Sequence, residues 1–265
     1  MPIVGGLHYD WHGRPDGETL ILSAGLGGSG TYWAPNLPAL ASCYRILTYD
    51  HRGTARSERD SPPPANVDAM ANDILALMDG LGIAQAHIVG HAAGGIMALA
   101  LALRAPERLG RLVVVNGWSK PDPHFARCFD TRLTLLRDSG VEAYVRAQPI
   151  FLYPAAWIST NSGRLDAEAT DHLAHFQARP MLEARIAALC AFDIDDRLGA
   201  IGVPVLALVA DDDMLVPAPC SHRLAAGIPG ATLATMNWGG HACNVTKPQE
   251  FDRLVLDWLA DPSRN

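Results

Sequence analysis

Val89-Gly90-His91-Ala92-Ala93-Gly94-Gly95 is the stretch that decides the fold. A short apolar run, His87 to Val89, enters a turn of small residues, and an apolar helical pattern, Ala93 to Ala105, leaves it. Strand, sharp turn and helix in that order make the frame of a nucleophile elbow, G-x-S-x-G, with Gly90 and Gly94 in the glycine positions. Glycines are needed there because the central residue is held in a strained conformation and the neighbouring backbones crowd it. The central position is Ala92, not serine.

Outward from the elbow, the chain alternates strand-like and helix-like segments. Leu7 to His12 reads as a strand, Arg14-Pro15-Asp16-Gly17 as a turn, and Thr19 to Ser23 as the partner strand. Arg45 to Tyr49, Leu112 to Val115 and Val205 to Val209 are apolar runs bounded by breakers, as interior strands are. Val67 to Gly80 and Phe251 to Ala260 read as helices. Parallel strands require such crossovers, so the expected architecture is α/β, a mostly parallel central sheet with helices on both faces. One segment breaks the alternation. From Trp118 to about Leu198 no strand is legible, and Leu, Ala and Arg at helical spacing are interrupted by Pro149, Pro154 and Pro180. This predicts a helical cap over residues 118–198, inserted into a core made of residues 1–117 and 199–265. Its aromatics, Phe125, Tyr144, Phe151, Tyr153 and Trp157, either roof a pocket or form the cap's own core.

Three further stretches belong with the elbow. Val205 to Ala210 runs into Asp211-Asp212-Asp213, and Asp213 best matches the position of an acid that orients a histidine. Asp211 and Asp212 read as turn residues. His241, in Trp238-Gly239-Gly240-His241, follows Asp213 by 28 residues, and the order elbow, acid, histidine makes it the candidate base. Ser23-Ala24-Gly25-Leu26-Gly27-Gly28-Ser29 follows an early strand, where the loop that donates an oxyanion-hole amide belongs. The backbone N–H groups of Leu26 and Ala93 are the expected donors. Asn116, Tyr153 and Trp238 are candidate substrate-binding residues, with Lys120 and Arg179 behind them.

Composition excludes other classes. A net charge of −7 without any basic block gives no footprint for nucleic acid or an anionic membrane. The longest apolar run, Ile96 to Leu103, falls short of the roughly 18 residues of a membrane span. The start of the chain lacks the pattern of a signal peptide, and five scattered cysteines, none in C-x-x-C, fit reduced thiols in a cytoplasmic protein. No histidine pair has metal-ligand spacing; His172 and His175 read as cap residues, so neither metal nor cofactor is expected. The expected partner is a small-molecule substrate.

Together these stretches resemble the α/β-hydrolase superfamily over essentially the whole chain. Asp50-His51-Arg52-Gly53-Thr54-Ala55-Arg56-Ser57 is similar to that superfamily's D-x-R-G-x-G-x-S turn, with Ala55 in place of a glycine. More closely, the chain resembles the pyrimidine-utilisation protein D family. The residues that carry this are Ser23 to Trp33, Gly90 to Gly94, Val115 to Trp118, Ala147 to Trp157, Ala174 to Gln177 and Gly239 to Thr246. The resemblance implies a hydrolase acting on carbamate or aminoacrylate, small C–N compounds released in uracil degradation. An alanine at position 92 excludes an acyl-enzyme through that residue. It leaves open a histidine–aspartate base acting on water, a serine esterase carrying a substitution, a nucleophile-independent lyase or cofactor-free oxygenase, and a binding-only receptor.

Overall fold

The computed structural model describes residues 2–264 and folds into one eight-stranded sheet. Its strands are β1 (Ile3–Val4), β2 (Leu7–Gly13), β3 (Thr19–Ser23), β4 (Arg45–Tyr49), β5 (Ala86–His91), β6 (Leu109–Val115), β7 (Val205–Ala210) and β8 (Thr232–Met236). Their order across the sheet is β1-β2-β4-β3-β5-β6-β7-β8. From β4 to β8 every pairing is parallel, while β1–β2 and β2–β4 are antiparallel.

The helices are α1 (Leu37–Leu40), α2 (Val67–Gly80), α3 (Ala93–Arg104), α4 (Pro123–Thr134), α5 (Gly140–Leu152), α6 (Ala155–Thr160), α7 (Ser162–Ala174), α8 (Arg179–Cys190), α9 (Ala218–Gly227), α10 (Cys243–Thr246) and α11 (Pro248–Ala260). Alternation along the interior strands divides the apolar residues between two cores. Ile21, Leu112, Val114 and Ala207 face α2, α3 and α9 on one side. Leu20, Leu22, Val113, Val115, Leu206 and Leu208 face Phe251 and Val255 of α11 on the other. No helix among the described residues is long and apolar enough to cross a membrane.

The expected hairpin between β2 and β3 does not form. The turn at Arg14–Gly17 closes, with Gly17 N–H donating to Arg14 O at 3.1 Å, but β4 inserts between the two strands. Burial gives the reason. Leu20, Ile21, Leu22 and Ser23 are all shut off from solvent, so β3 needs a strand on each side, and β4 and β5 supply them. β2 is only half-buried over Tyr9 to His12 and suits a place near the edge.

Between β6 and β7 lie α4 to α8 and a π-helical turn at Leu135–Ser139, with no strand among them. Pro154 and Pro180 sit at the starts of α6 and α8, where a missing N–H costs nothing. Pro149 does not break its helix: it lies inside α5, and Tyr153 N–H still closes onto its carbonyl at 3.0 Å. The Asp50–Ser57 turn is structural. Asp50 accepts from Gly30 N at 2.7 Å and from Arg56 Nε at 2.7 Å, and Ser57 Oγ donates to Asp50 O at 2.6 Å. Ala55 stands at φ 42°, a left-handed conformation a glycine would take without strain.

Candidate active site

The elbow is built at the C-terminal end of β5. Ala92 sits at φ 46°, ψ −107°, with its N–H donating to Val115 O at 2.8 Å and its carbonyl accepting from Ile96 N at 3.0 Å. The glycine requirement is steric. A Cβ on Gly90 would lie 2.5 Å from the carbonyl carbon of Gly94, and one on Gly94 would lie 2.3 Å from Ser23 O. The turn therefore presents the Ala92 methyl at the N-terminus of α3. Ala93, the first residue of that helix, has an N–H with no intrahelical acceptor, at the positive end of the helix dipole.

Asp213 and His241 meet where β7 and β8 end. His241 Nδ1 lies 2.8 Å from Asp213 Oδ2, and both side chains are almost wholly buried. Asp213 Oδ1 accepts from the N–H groups of Leu215 at 2.8 Å and Val216 at 2.9 Å, which fixes the carboxylate's orientation. An ionised carboxylate only accepts, so Nδ1 carries the proton and Nε2 is left as the basic nitrogen.

Three residues the sequence did not single out for this task hold the histidine loop. Asp212 Oδ1 accepts from both Gly239 N and Gly240 N at 2.8 Å; it binds the loop rather than its own turn. His91 Nε2 donates to His241 O at 2.8 Å, and the two imidazoles meet edge to face with centroids 4.6 Å apart. Burial, then the neighbouring His241, hold the His91 pKa well below its ordinary value, so this imidazole is neutral. Asn116 Nδ2 donates to the same His241 carbonyl at 2.7 Å, while Asn116 Oδ1 accepts from Ala210 N at 3.0 Å.

A cavity of about 210 Å³ opens between the sheet and the cap helices. Leu26, Ala92, Ala93 and His241 all line it from the sheet side. Tyr32 joins them, its hydroxyl donating to Asn244 Oδ1 at 2.6 Å. Of the residues proposed to bind substrate, only Tyr153 lines the cavity, stacked on Trp157 at 4.5 Å. Asn116 does not, because both ends of its amide are spent on backbone and it is fully buried. Trp238 does not either: it packs outside, with Lys247 Nζ 5.6 Å from its ring. Lys120 pairs with Asp195 at 2.6 Å and Arg179 with Glu183 at 2.9 Å, both away from the cavity. Of the cap aromatics, Phe125 roofs the cavity, whereas Tyr144 and Phe151 belong to the cap's buried core. Arg132 and Gln148 of the cap also line the cavity, and nothing in their helical spacing distinguished them from surface residues.

The comparisons with known proteins agree with this fold. The family model described as alpha/beta hydrolase fold matches residues 18–248. A protein of a Caulobacter species named "Putative carbamate hydrolase RutD" is 56% identical over 259 residues, covering 97% of each chain. A protein of the same name from Agrobacterium fabrum is 49% identical over 255 residues, covering 96% of this chain and 98% of its own. Among solved structures, the enol-lactonase from Burkholderia xenovorans superposes with a TM-score of 0.87 at 27% identity, covering 97% of this chain and 98% of the other. A hydrolase from Pseudomonas aeruginosa gives 0.86 at 29% identity, covering 96% and 94%. The chain is a hydrolase that belongs to the α/β-hydrolase fold family and, within it, to the family of these RutD relatives.

Proposed function

We propose that this hydrolase cleaves a small, labile C–N compound, carbamate or aminoacrylate, in pyrimidine catabolism, with His241 as base and no covalent intermediate. The observation that carries the reading is the 2.8 Å His241–Asp213 pair beside Ala92 in a cavity suited to a small molecule. The names of the relatives support the substrate class. His241 Nε2 takes a proton from water as its oxygen attacks the carbon that bears nitrogen. The N–H groups of Leu26 and Ala93 hold the negative charge that develops on oxygen. The imidazolium then returns the proton to nitrogen, and ammonia leaves. From carbamate and water the products are bicarbonate and ammonia. From aminoacrylate, a proton from solvent adds to carbon and gives an iminium, His241 takes a proton from the water that adds to it and returns it to nitrogen, and loss of ammonia leaves a carbonyl.

Magnitude favours a labile substrate. Positioned acid–base help is worth about 10²–10⁴-fold, and removing a triad serine leaves roughly 10³–10⁴-fold over water from the oxyanion hole and binding. That is too little for an amide, yet enough for a compound that already decomposes unaided. The same reading puts the enzyme in the cytosol, where its five free cysteines stay reduced. Deleting the gene tests the metabolic setting: the strain should grow poorly on uracil as sole nitrogen source and recover with the wild-type gene. Unimpaired growth without the gene would sink it.

A further inference from the structure

Arg132, on α4, is only 4% exposed and lines the cavity. A buried guanidinium is costly unless a carboxylate faces it, commonly through two parallel hydrogen bonds. Among the described residues, no acidic group lies within ion-pair distance of Arg132. Its Nη2 donates to Tyr144 Oη at 3.1 Å and to Gln148 Oε1, both neutral acceptors. Its Nε is buried and has no partner. The rings of Phe129, Tyr144 and Phe151 surround Cζ with centroids at 4.7, 5.5 and 5.6 Å. Those faces hold the guanidinium in place and attract a cation, but supply no counter-charge. Gln148 is itself fixed, its Nε2 donating to Tyr144 O at 3.0 Å, so its oxygen stays turned to Arg132. The cation is thus positioned from several sides and neutralised from none.

We infer that Arg132 receives the carboxylate of the substrate, so that the molecule entering the cavity is a small anion anchored to the cap. The inference rests on reading this cavity as the substrate's site. Nη1, to which no protein acceptor is bonded, leaves two N–H groups to donate to a carboxylate in the cavity. With its carboxylate on the cap, the substrate offers its remaining atoms to His241 and the amides of Leu26 and Ala93 on the sheet side. A molecule whose carboxylate and reacting carbon are separate atoms, as in aminoacrylate, meets both demands at once. In carbamate a single carbon must serve both, so the arrangement favours the longer anion. Arg132 is a positioning residue that also selects for charge.

The test uses two unreactive ligands of one shape and different charge, propanoate and propanamide, with binding to the full-length protein measured by calorimetry. Wild type should bind propanoate at least about tenfold more tightly than propanamide, since a charge-assisted hydrogen bond is worth about 10- to 100-fold. Arg132→Gln should bring that ratio near one, chiefly by weakening propanoate, and Arg132→Lys should keep part of the preference. A purely structural arginine would weaken both ligands alike. No preference in wild type, or a preference that survives in folded Arg132→Gln, would overturn the inference. If Arg132→Gln does not fold, the Arg132 guanidinium N–H resonances of the wild-type protein, those of Nη1 first, decide: they should shift with propanoate and not with propanamide, and the absence of that shift refutes the assignment. Neither ligand turns over, so a failure to release ammonia would remove the hydrolytic reading without touching this one.

Discussion

Asp213→Asn is the substitution whose consequence the geometry specifies most fully. Asp213 Oδ1 accepts from two backbone N–H groups, Leu215 at 2.8 Å and Val216 at 2.9 Å, and Oδ2 faces His241 Nδ1 at 2.8 Å. Asparagine keeps the shape but has one oxygen and one NH2. Its oxygen stays where the two donors converge, because the opposite orientation strands buried N–H groups at about 1–3 kcal/mol each. The NH2 then faces His241, which can answer only with an unprotonated Nδ1. The imidazole proton moves to Nε2, and the nitrogen left for water can no longer accept from it. A positioned base is worth about 10²–10⁴-fold. The variant should therefore slow by that factor, about 2.7–5.4 kcal/mol of barrier at ~1.36 kcal/mol per tenfold. Its fold and melting temperature should stay close to wild type, since volume and loop hydrogen bonds are kept. The assay is the initial rate of ammonia release from fresh carbamate or aminoacrylate, corrected for buffer, alongside thermal unfolding. A folded variant within about threefold of wild type would refute the base assignment, because the expected loss is far larger.

Two other perturbations read separate parts of the site and scaffold. Ala92→Ser puts a hydroxyl on a backbone already held at φ 46° beside His241, so an activated ester such as p-nitrophenyl acetate should acylate the variant and not the wild type; absence of an acetylated protein by mass spectrometry would mean the elbow no longer addresses the histidine. Burial pushes the Asp252 carboxyl up to about 6, against the hydrogen bond it accepts from Asn36 Nδ2 at 2.8 Å. Its folded-state pKa lies above the unfolded value of about 3.9, so its contribution to stability is full below pH ~4 and is lost as pH rises through about 6. Asp252→Asn should accordingly raise the melting temperature at pH 7.5 and lose that advantage by about pH 4.5, and a difference independent of pH would contradict it.

How far the sequence was legible follows from how local each signal is. The elbow was readable because Gly90 and Gly94 answer a steric demand within five residues, and a Cβ at either would collide with backbone. Asp213 and His241 were readable because each follows a short apolar strand and their order along the chain is diagnostic. The pairing of β2 was not, because a hairpin turn and a crossover around β4 leave the same residues at Arg14–Gly17, and only the burial of β3 separates them. Asn116 and His91 were missed as supports for the His241 carbonyl since those bonds span 125 and 150 residues. Arg132 looked like any polar residue of an amphipathic helix. That it turns inward, among Phe129, Tyr144 and Phe151, is a property of cap packing.

The most direct measurement of the central claim is ammonia release by wild type and by His241→Ala, each set against buffer alone, with carbamate and aminoacrylate. Wild type should exceed buffer by at least the roughly 10²–10⁴-fold that positioned acid–base help allows, and His241→Ala should lose that factor while remaining folded, keeping only what the oxyanion hole and binding supply. Equal rates in the two proteins, both above buffer, would contradict the account, because the cavity would then act without the imidazole it was built around.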